Sequence, residues 1–196
     1  LLNDDQKAKL LPKVCNGEYL GAMSLSEPDT GSDLASISCR AVREDKGWKV
    51  TGNKYWCTFA DGADYLLLFA RTSTDVKPNK RHLGISAFLI DKPRGQLPEG
   101  VKGSVIPKIG YFGWKTWELA FDSLYLPLNA LIGEEGRAFY ALAKRLDEAR
   151  AHTAARSLGL AQGALEDAIA YAKERKQFGS PIAEFQDVRF KIAKMA

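Results

Sequence analysis

Cysteine and histidine are scarce in this sequence, and neither is arranged for chemistry of its own. The three cysteines, Cys15, Cys39 and Cys57, are odd in number and far apart, with no CxxC pair. A disulfide framework is therefore not expected, and a reducing compartment, cytoplasmic or mitochondrial matrix, suits them better. His82 and His152 are too distant in sequence to announce a metal cluster, and no zinc-ligand spacing is present. Long apolar runs are missing as well. Stretches such as Tyr65 to Ala70 have strand length, far short of the ~20 apolar residues of a membrane span. Blocks of like charge are absent too. The 28 Lys+Arg against 24 Asp+Glu leave a net charge of +4, interspersed as on a solvated surface. No basic stripe interleaved with stacking aromatics points to nucleic acid. No GxGxxG leads into a helix and no Walker sequence occurs, so a Rossmann or P-loop nucleotide site is not supported.

What remains is an ordinary globular composition: 196 residues, 45% hydrophobic and 27% charged, with 17 Gly and 8 Pro. That is ample for a core, and it excludes collagen-like, low-complexity and disordered readings. The chain opens on Leu1-Leu2-Asn3-Asp4 without the basic and apolar regions of a signal peptide. It closes on the amphipathic Phe190-Lys191-Ile192-Ala193-Lys194-Met195-Ala196 without a stop signal. Both ends are expected to be cuts through a longer protein.

Three zones separate by periodicity. Asp4 to about Cys15 reads as a helix carrying Leu10, Leu11 and Val14, broken at Asn16-Gly17. From about Gly21 to Leu131 the pattern changes to short runs bounded by turn formers. Expected strands are Ile37–Arg43, Trp48–Thr51, Tyr65–Arg71, Ile85–Ile90, Val101–Ile106 and Trp117–Phe121, with a hairpin turn at Asp45-Lys46-Gly47. Such spacing argues for an antiparallel barrel or sandwich. Apolar residues then recur at three- and four-residue steps from about Glu135 to Arg175, a long helix. Gly179-Ser180-Pro181 breaks it, and Pro181 suits the first turn of a second helix, the start of a bundle.

Three motifs carry chemistry. Leu25-Ser26-Glu27-Pro28-Asp29-Thr30-Gly31-Ser32-Asp33 is a turn-rich loop whose backbone N–H groups can cradle phosphate oxygens and whose Ser26 hydroxyl can donate to a ring atom. In Asn53-Lys54-Tyr55-Trp56-Cys57-Thr58, the Trp and Thr two apart on a strand share a face, offering an indole to stack on a flat ring and a hydroxyl for its edge. Ala172-Lys173-Glu174-Arg175-Lys176-Gln177-Phe178-Gly179 ends the long helix with basic residues that favour its macrodipole. Singly, each has a structural explanation: a polar turn, a buried aromatic beside a Thr, a helix cap.

Their order, S-E-P-x-x-G-S-D, then Y-W-x-T, then R-x-Q-F-G-x-P-I-x-x-F-Q, resembles the acyl-CoA dehydrogenase family of flavoproteins over nearly the whole chain. The resemblance implies an α+β chain: residues 1–20 ending an N-terminal helical domain, 21–133 forming an antiparallel barrel or sandwich middle domain, and 134–196 opening a C-terminal helical bundle. It implies FAD as cofactor. The segment Met23 to Ser32 would line the flavin ring and pyrophosphate, with Leu25 and Ser26 at the ring and Gly31 and Ser32 near the pyrophosphate, Ser32 also near a bound CoA thioester. Trp56 would cover the other ring face, with Cys57 beside it and Thr58 near the N5 edge. Asp147 and Arg150 match a segment that contacts CoA. Arg175, Gln177, Phe178 and Gln186 match residues reaching the FAD of a neighbouring subunit, so a homodimer or homotetramer is implied.

The implied reaction removes the α-proton of an acyl-CoA and passes a β-hydride to flavin N5, leaving a trans-2-enoyl-CoA, with electron-transfer flavoprotein as acceptor. Same-fold acyl-CoA oxidases, flavin monooxygenases and a non-catalytic partner subunit stay open as alternatives. The family's base is a carboxylate, most often in the C-terminal domain further along than this segment, in a minority at the position of Ala149. Glu148 is adjacent but projects about 100° away around a helix, and Glu27 is expected to hold its turn. No base is assigned within this chain. The small residues Ala154, Ala155, Ser157 and Gly159 suit close helix packing or a ligand equally. Tyr111-Phe112-Gly113-Trp114 and Trp117 stand where commoner members carry smaller or basic residues. Packing within the sheet domain is the favoured explanation for them.

Overall fold

The computed structural model describes residues 2–196, and Leu1, part of the opening stretch read above, lies outside the described residues. Two compact units divide the chain, Leu1–Leu142 and Ala143–Ala196. In the first, helix α1 (Asp4–Cys15) starts on a capping box. The Asn3 side chain accepts the Gln6 N–H at 2.8 Å while the Gln6 side chain accepts the Asn3 N–H at 3.0 Å. Two of the N–H groups orphaned at a helix start are thereby satisfied, and Asp4 and Asp5 complement the dipole.

Eight strands follow: β1 (Gly21–Ser24), β2 (Arg40–Glu44), β3 (Gly47–Thr58), β4 (Tyr65–Arg71), β5 (Ile85–Asp91), β6 (Val101–Val105), β7 (Thr116–Pro127) and β8 (Leu131–Ile132). They form one sheet in the order β6-β7-β3-β2-β4-β5-β8, with β1 paired to β4. The expected antiparallel arrangement holds except at β1, which runs parallel to β4 with Gly21 opposite Tyr65, and at the single parallel pair Arg40–Arg71 between β2 and β4. The pairing path keeps two ends, at β6 and β8, so the sheet is not a closed barrel. It does curl. Trp48 of β3 and Phe88 of β5 meet edge to face with ring centroids 5.2 Å apart. Those strands lie three places apart on the path, a separation of about 14 Å in a flat sheet at ~4.8 Å per strand. The curl encloses a core of Trp48, Leu66, Leu68, Phe88 and Leu119, each side chain worth roughly 1.5–3 kcal/mol of burial.

Strands β3 and β7 outrun the expected Trp48–Thr51 and Trp117–Phe121. Two irregularities in their pairing, between Val50 and Gly52 and between Lys54 and Cys57, interrupt the alternation that marks a strand in sequence. At the first, Gly52 has φ +141°, and a Cβ there would lie 2.7 Å from Cys39 Cα, so the close approach of the lead into β2 requires glycine. The β2–β3 turn is tighter than Asp45-Lys46-Gly47, because Gly47 is already paired with Glu44.

Helix α2 (Ala138–Glu174) realises the long helical pattern and runs into the second unit. That unit continues with a hairpin of β9 (Lys176–Gln177) and β10 (Ser180–Pro181), a 3₁₀ turn at Ile182–Glu184 and helix α3 (Gln186–Met195). Pro181 therefore sits in the hairpin and before the 3₁₀ turn rather than in the first turn of α3. Among the described residues no helix is long and apolar enough to cross a membrane.

Candidate functional site

The loop after β1 is docked onto the middle of β3 by a buried polar network. The Tyr55 N–H donates to the Ser26 carbonyl at 2.8 Å. The Lys54 ammonium, on a side chain with no solvent exposure, donates to the Leu25 carbonyl at 2.8 Å and to Glu27 Oε1 at 2.9 Å. Glu27 also accepts from the Ser38 N–H and hydroxyl, each at 2.7 Å, and from the Cys39 N–H at 2.9 Å. Its backbone closes the turn with Thr30, the Glu27 N–H donating at 2.8 Å and the Thr30 N–H at 3.1 Å. Burial alone would push the Glu27 carboxyl up. The attraction of Lys54 and the hydrogen bonds from Lys54, Ser38 and Cys39 outweigh it and hold the carboxyl below its ordinary value. Glu27 thus holds the loop and is ionised, with every acceptor engaged.

This docking brings the first two sequence motifs onto one surface. Beside Ser26, the strand turns through Trp56, whose φ of +61° is a left-handed conformation. The turn throws the indole outward, leaving Trp56 56% exposed with its ring edge-on to Tyr55 at 5.0 Å. Trp56 and Thr58 are both exposed while Cys57 between them is fully buried. Both members of the expected pair are thus exposed, Trp56 through an irregular backbone and not a regular strand. The Thr58 hydroxyl lies 3.2 Å from that of Thr116.

The remaining expected residues are placed as follows. Met23 is exposed, Leu25 and Ser26 are half-buried, and Gly31 and Ser32 lie on the open outer part of the loop. A Cβ at Gly31 would meet nothing within 4 Å, so the backbone there is open to a ligand. The Cys57 side chain points into the core, its Sγ 3.4 Å from the Ser24 hydroxyl. Burial pushes its thiol up, and that of Cys39 up to about 12, so neither is a nucleophile, and Cys57, expected beside the ring, is wholly buried and offers a ligand no surface. Asp147 and Arg150 are exposed and paired with each other at 2.5 Å. Glu148 is paired with Arg145.

Arg175, Gln177, Phe178 and Gln186 belong to the second unit. There, Phe178 and Gly179 have φ of +52° and +84° between the paired Gln177 and Ser180, the two left-handed residues of a type I′ turn. Phe178 is thereby presented to solvent at 96% exposure.

Sequence reasoning missed Lys54. The signal was available: Trp48, Val50, Gly52 and Lys54 share one parity of β3, so a lysine falls on the inward face. The aromatics of the β6–β7 connection are only partly explained by packing. Trp117 Nε1 donates to Asp61 at 2.9 Å and Trp114 packs edge-on against Phe59, but Phe112 is 88% exposed. A cavity of about 480 Å³ lies between Pro28, Tyr55, Ser104 and Glu118 beside the docked loop. A larger one, about 670 Å³, separates α1 from β5 and β7, away from this surface, bordered by the Lys9–Asp91 ion pair.

Hydroxyls on a turn, an open glycine backbone and an outward indole form a set suited to a flat ring with a phosphate tail. Two family descriptions match in succession, "Acyl-CoA dehydrogenase, middle domain" over residues 22–124 and "Acyl-CoA dehydrogenase, C-terminal domain" over residues 136–196. The chain belongs to the acyl-CoA dehydrogenase family. It is 39% identical to the mitochondrial 2-methylacyl-CoA dehydrogenase of Solanum tuberosum over 97% of this chain and 45% of that protein. The crystal structure of acyl-CoA dehydrogenase from Geobacillus kaustophilus superposes with a TM-score of 0.91 at 34% identity, over 98% of this chain and 50% of that one. The FAD complex of PigA superposes at 0.86 and 30% identity, over 99% and 49%. The chain spans about half the length of the relatives it matches.

Proposed function

We propose that this chain is the flavin-holding part of an FAD-dependent acyl-CoA dehydrogenase that converts an acyl-CoA thioester to a trans-2-enoyl-CoA. The observation that carries the reading is the 2.8 Å bond from the Tyr55 N–H to the Ser26 carbonyl, which sets a hydroxyl-bearing turn beside an outward indole. When bound, FAD supplies a two-electron acceptor that no amino-acid side chain provides. Leu25 and Ser26 lie against its ring, Gly31 and Ser32 offer backbone and hydroxyl donors to its pyrophosphate, and Met23 borders the same surface. Trp56 and its edge-on partner Tyr55 wall the ring from water. The Thr58 hydroxyl would bind at the ring edge, where oriented donors favour developing negative charge.

In this reading residues 1–20 close a helical domain, 21–133 form the middle domain with its curled sheet, and 134–196 begin a helical bundle. Ser32 lies near the CoA thioester, and Asp147 and Arg150 contact the CoA moiety. Arg175, Gln177, Phe178 and Gln186 reach the FAD of a second copy, in a homodimer or homotetramer, and electron-transfer flavoprotein accepts the electrons. The α-proton is removed by a carboxylate from outside this chain. Purified full-length protein incubated with FAD is expected to turn yellow, and to bleach anaerobically on addition of a matching acyl-CoA. Protein that stays colourless after FAD incubation and gel filtration overturns the reading.

A further inference from the structure

Residues 54, 55 and 57 of β3 each reach back to the segment 24–27. Lys54 bonds Leu25 and Glu27, the Tyr55 N–H bonds Ser26, and Cys57 contacts Ser24. The one residue of that stretch left out is Trp56, whose side chain points to solvent and whose backbone is left-handed. A bulky L-residue keeps such a conformation only where its surroundings over-determine it. The strongest of those surroundings is the ion pair. Lys54 and Glu27 are 0% and 4% exposed, and together they tie the loop at Leu25 and Glu27, the lead into β2 at Ser38 and Cys39, and the strand itself. An apolar pair of equal volume would fill the same space but hold none of these groups in register.

We propose that Lys54 and Glu27 are positioning residues, which lock the Ser26 loop onto β3 and keep Trp56 turned outward before any flavin binds. The proposal rests on the flavin reading for its function, but not for its test. The test uses the full-length protein and the variant Lys54→Met/Glu27→Leu, which removes both charges and orphans neither. Residue-resolved amide exchange is measured without FAD, and FAD binding is then titrated. Exchange at the Tyr55 and Thr30 amides is expected to rise at least tenfold while Leu66 and Leu68 of β4 keep their wild-type rates. The Kd for FAD is expected to rise at least tenfold, with an altered visible spectrum of the bound flavin.

Unchanged Tyr55 and Thr30 amides overturn the proposal. So does acceleration spread evenly over β3 and β4, the mark of a merely structural pair. If the double variant does not fold, Glu27→Gln, which keeps the shape and one of the two acceptor oxygens, is read by the same amides. Wild-type protein that takes up no FAD overturns the flavin reading instead, and the exchange result then decides the positioning role alone. A loosened loop with unchanged FAD affinity and spectrum overturns the positioning role while the flavin reading stands.

Discussion

Trp56 and Phe178 are both exposed aromatics on left-handed backbone, at φ +61° and +52°, and the molecule holds them by opposite means. Around Trp56 the constraint is tertiary: Ser24, Leu25, Ser26 and Glu27, distant in sequence, grip the strand on both sides of it through buried polar contacts. Around Phe178 the constraint is local. Gln177 and Ser180 pair, Gly179 takes the second left-handed position, and the Ile182 N–H donates to the Arg175 carbonyl at 2.8 Å. The first arrangement exists only when the sheet has formed, whereas the second is written in a few consecutive residues. A residue's unusual backbone is therefore no guide to how far its support extends.

The largest effect that separates the two regions is expected from Lys54→Met. It leaves the Glu27 carboxylate buried and unpaired, and breaking a buried pair costs about 3–5 kcal/mol. Urea unfolding monitored by circular dichroism measures it, and Lys54→Met/Glu27→Leu should recover part of the loss, the remainder reflecting the Cys39 N–H and Leu25 carbonyl left without partners. A single-variant loss below about 1 kcal/mol would mean that water reaches the pair.

Acid should pull the regions apart next. Because the folded Glu27 carboxyl is held below its ordinary value of 4.5, its stabilisation is fully present above that pH. It is lost as pH falls through the lower, folded value. Between neutrality and pH 3, wild-type stability should fall more steeply than that of the double variant, with the difference arising below 4.5. Parallel curves would remove Glu27 from the acid response.

The smallest effect lies at the hairpin. Phe178→Asn places Asn-Gly in a type I′ turn, and should stabilise the second unit by about 1 kcal/mol, seen as a higher thermal midpoint. Each exchange gives up an edge-on ring contact, and the one at Trp56 should gain less, since its contact with Tyr55 at 5.0 Å is closer than that of Phe178 with Phe185 at 6.2 Å. Equal gains would erase the distinction between tertiary and local support.

The same distinction explains how much could be read in advance. Helix α1 and strand β4 were legible to the residue, or nearly so, because their patterns are uninterrupted: Asp4–Cys15 at helical spacing, and a continuous apolar run for Tyr65–Arg71. The ends of β3 and β7 were not, because bulges shift the parity of buried positions and a period of two no longer describes them. β1 was missed. It has only four residues, and its partner lies beyond the β2–β3 hairpin, where no local pattern points. At the candidate site, the turn formers around Ser26 and the outward Trp56 were visible as residue types. Lys54 was passed over because lysine on a strand reads as surface, and its burial is decided by a carboxylate 27 positions away.

The parallel seating of β1 against β4 also orders events during synthesis. A chain made from its N-terminus carries Gly21–Ser24 with nothing to pair with until Tyr65–Leu68 have emerged, and by then the intervening hairpin can already close on its own turn. The Ser26 turn, by contrast, finds its partners at Ser38, Cys39, Lys54 and Tyr55, all made before β4, and until they emerge the lysine destined for the interior is still solvated.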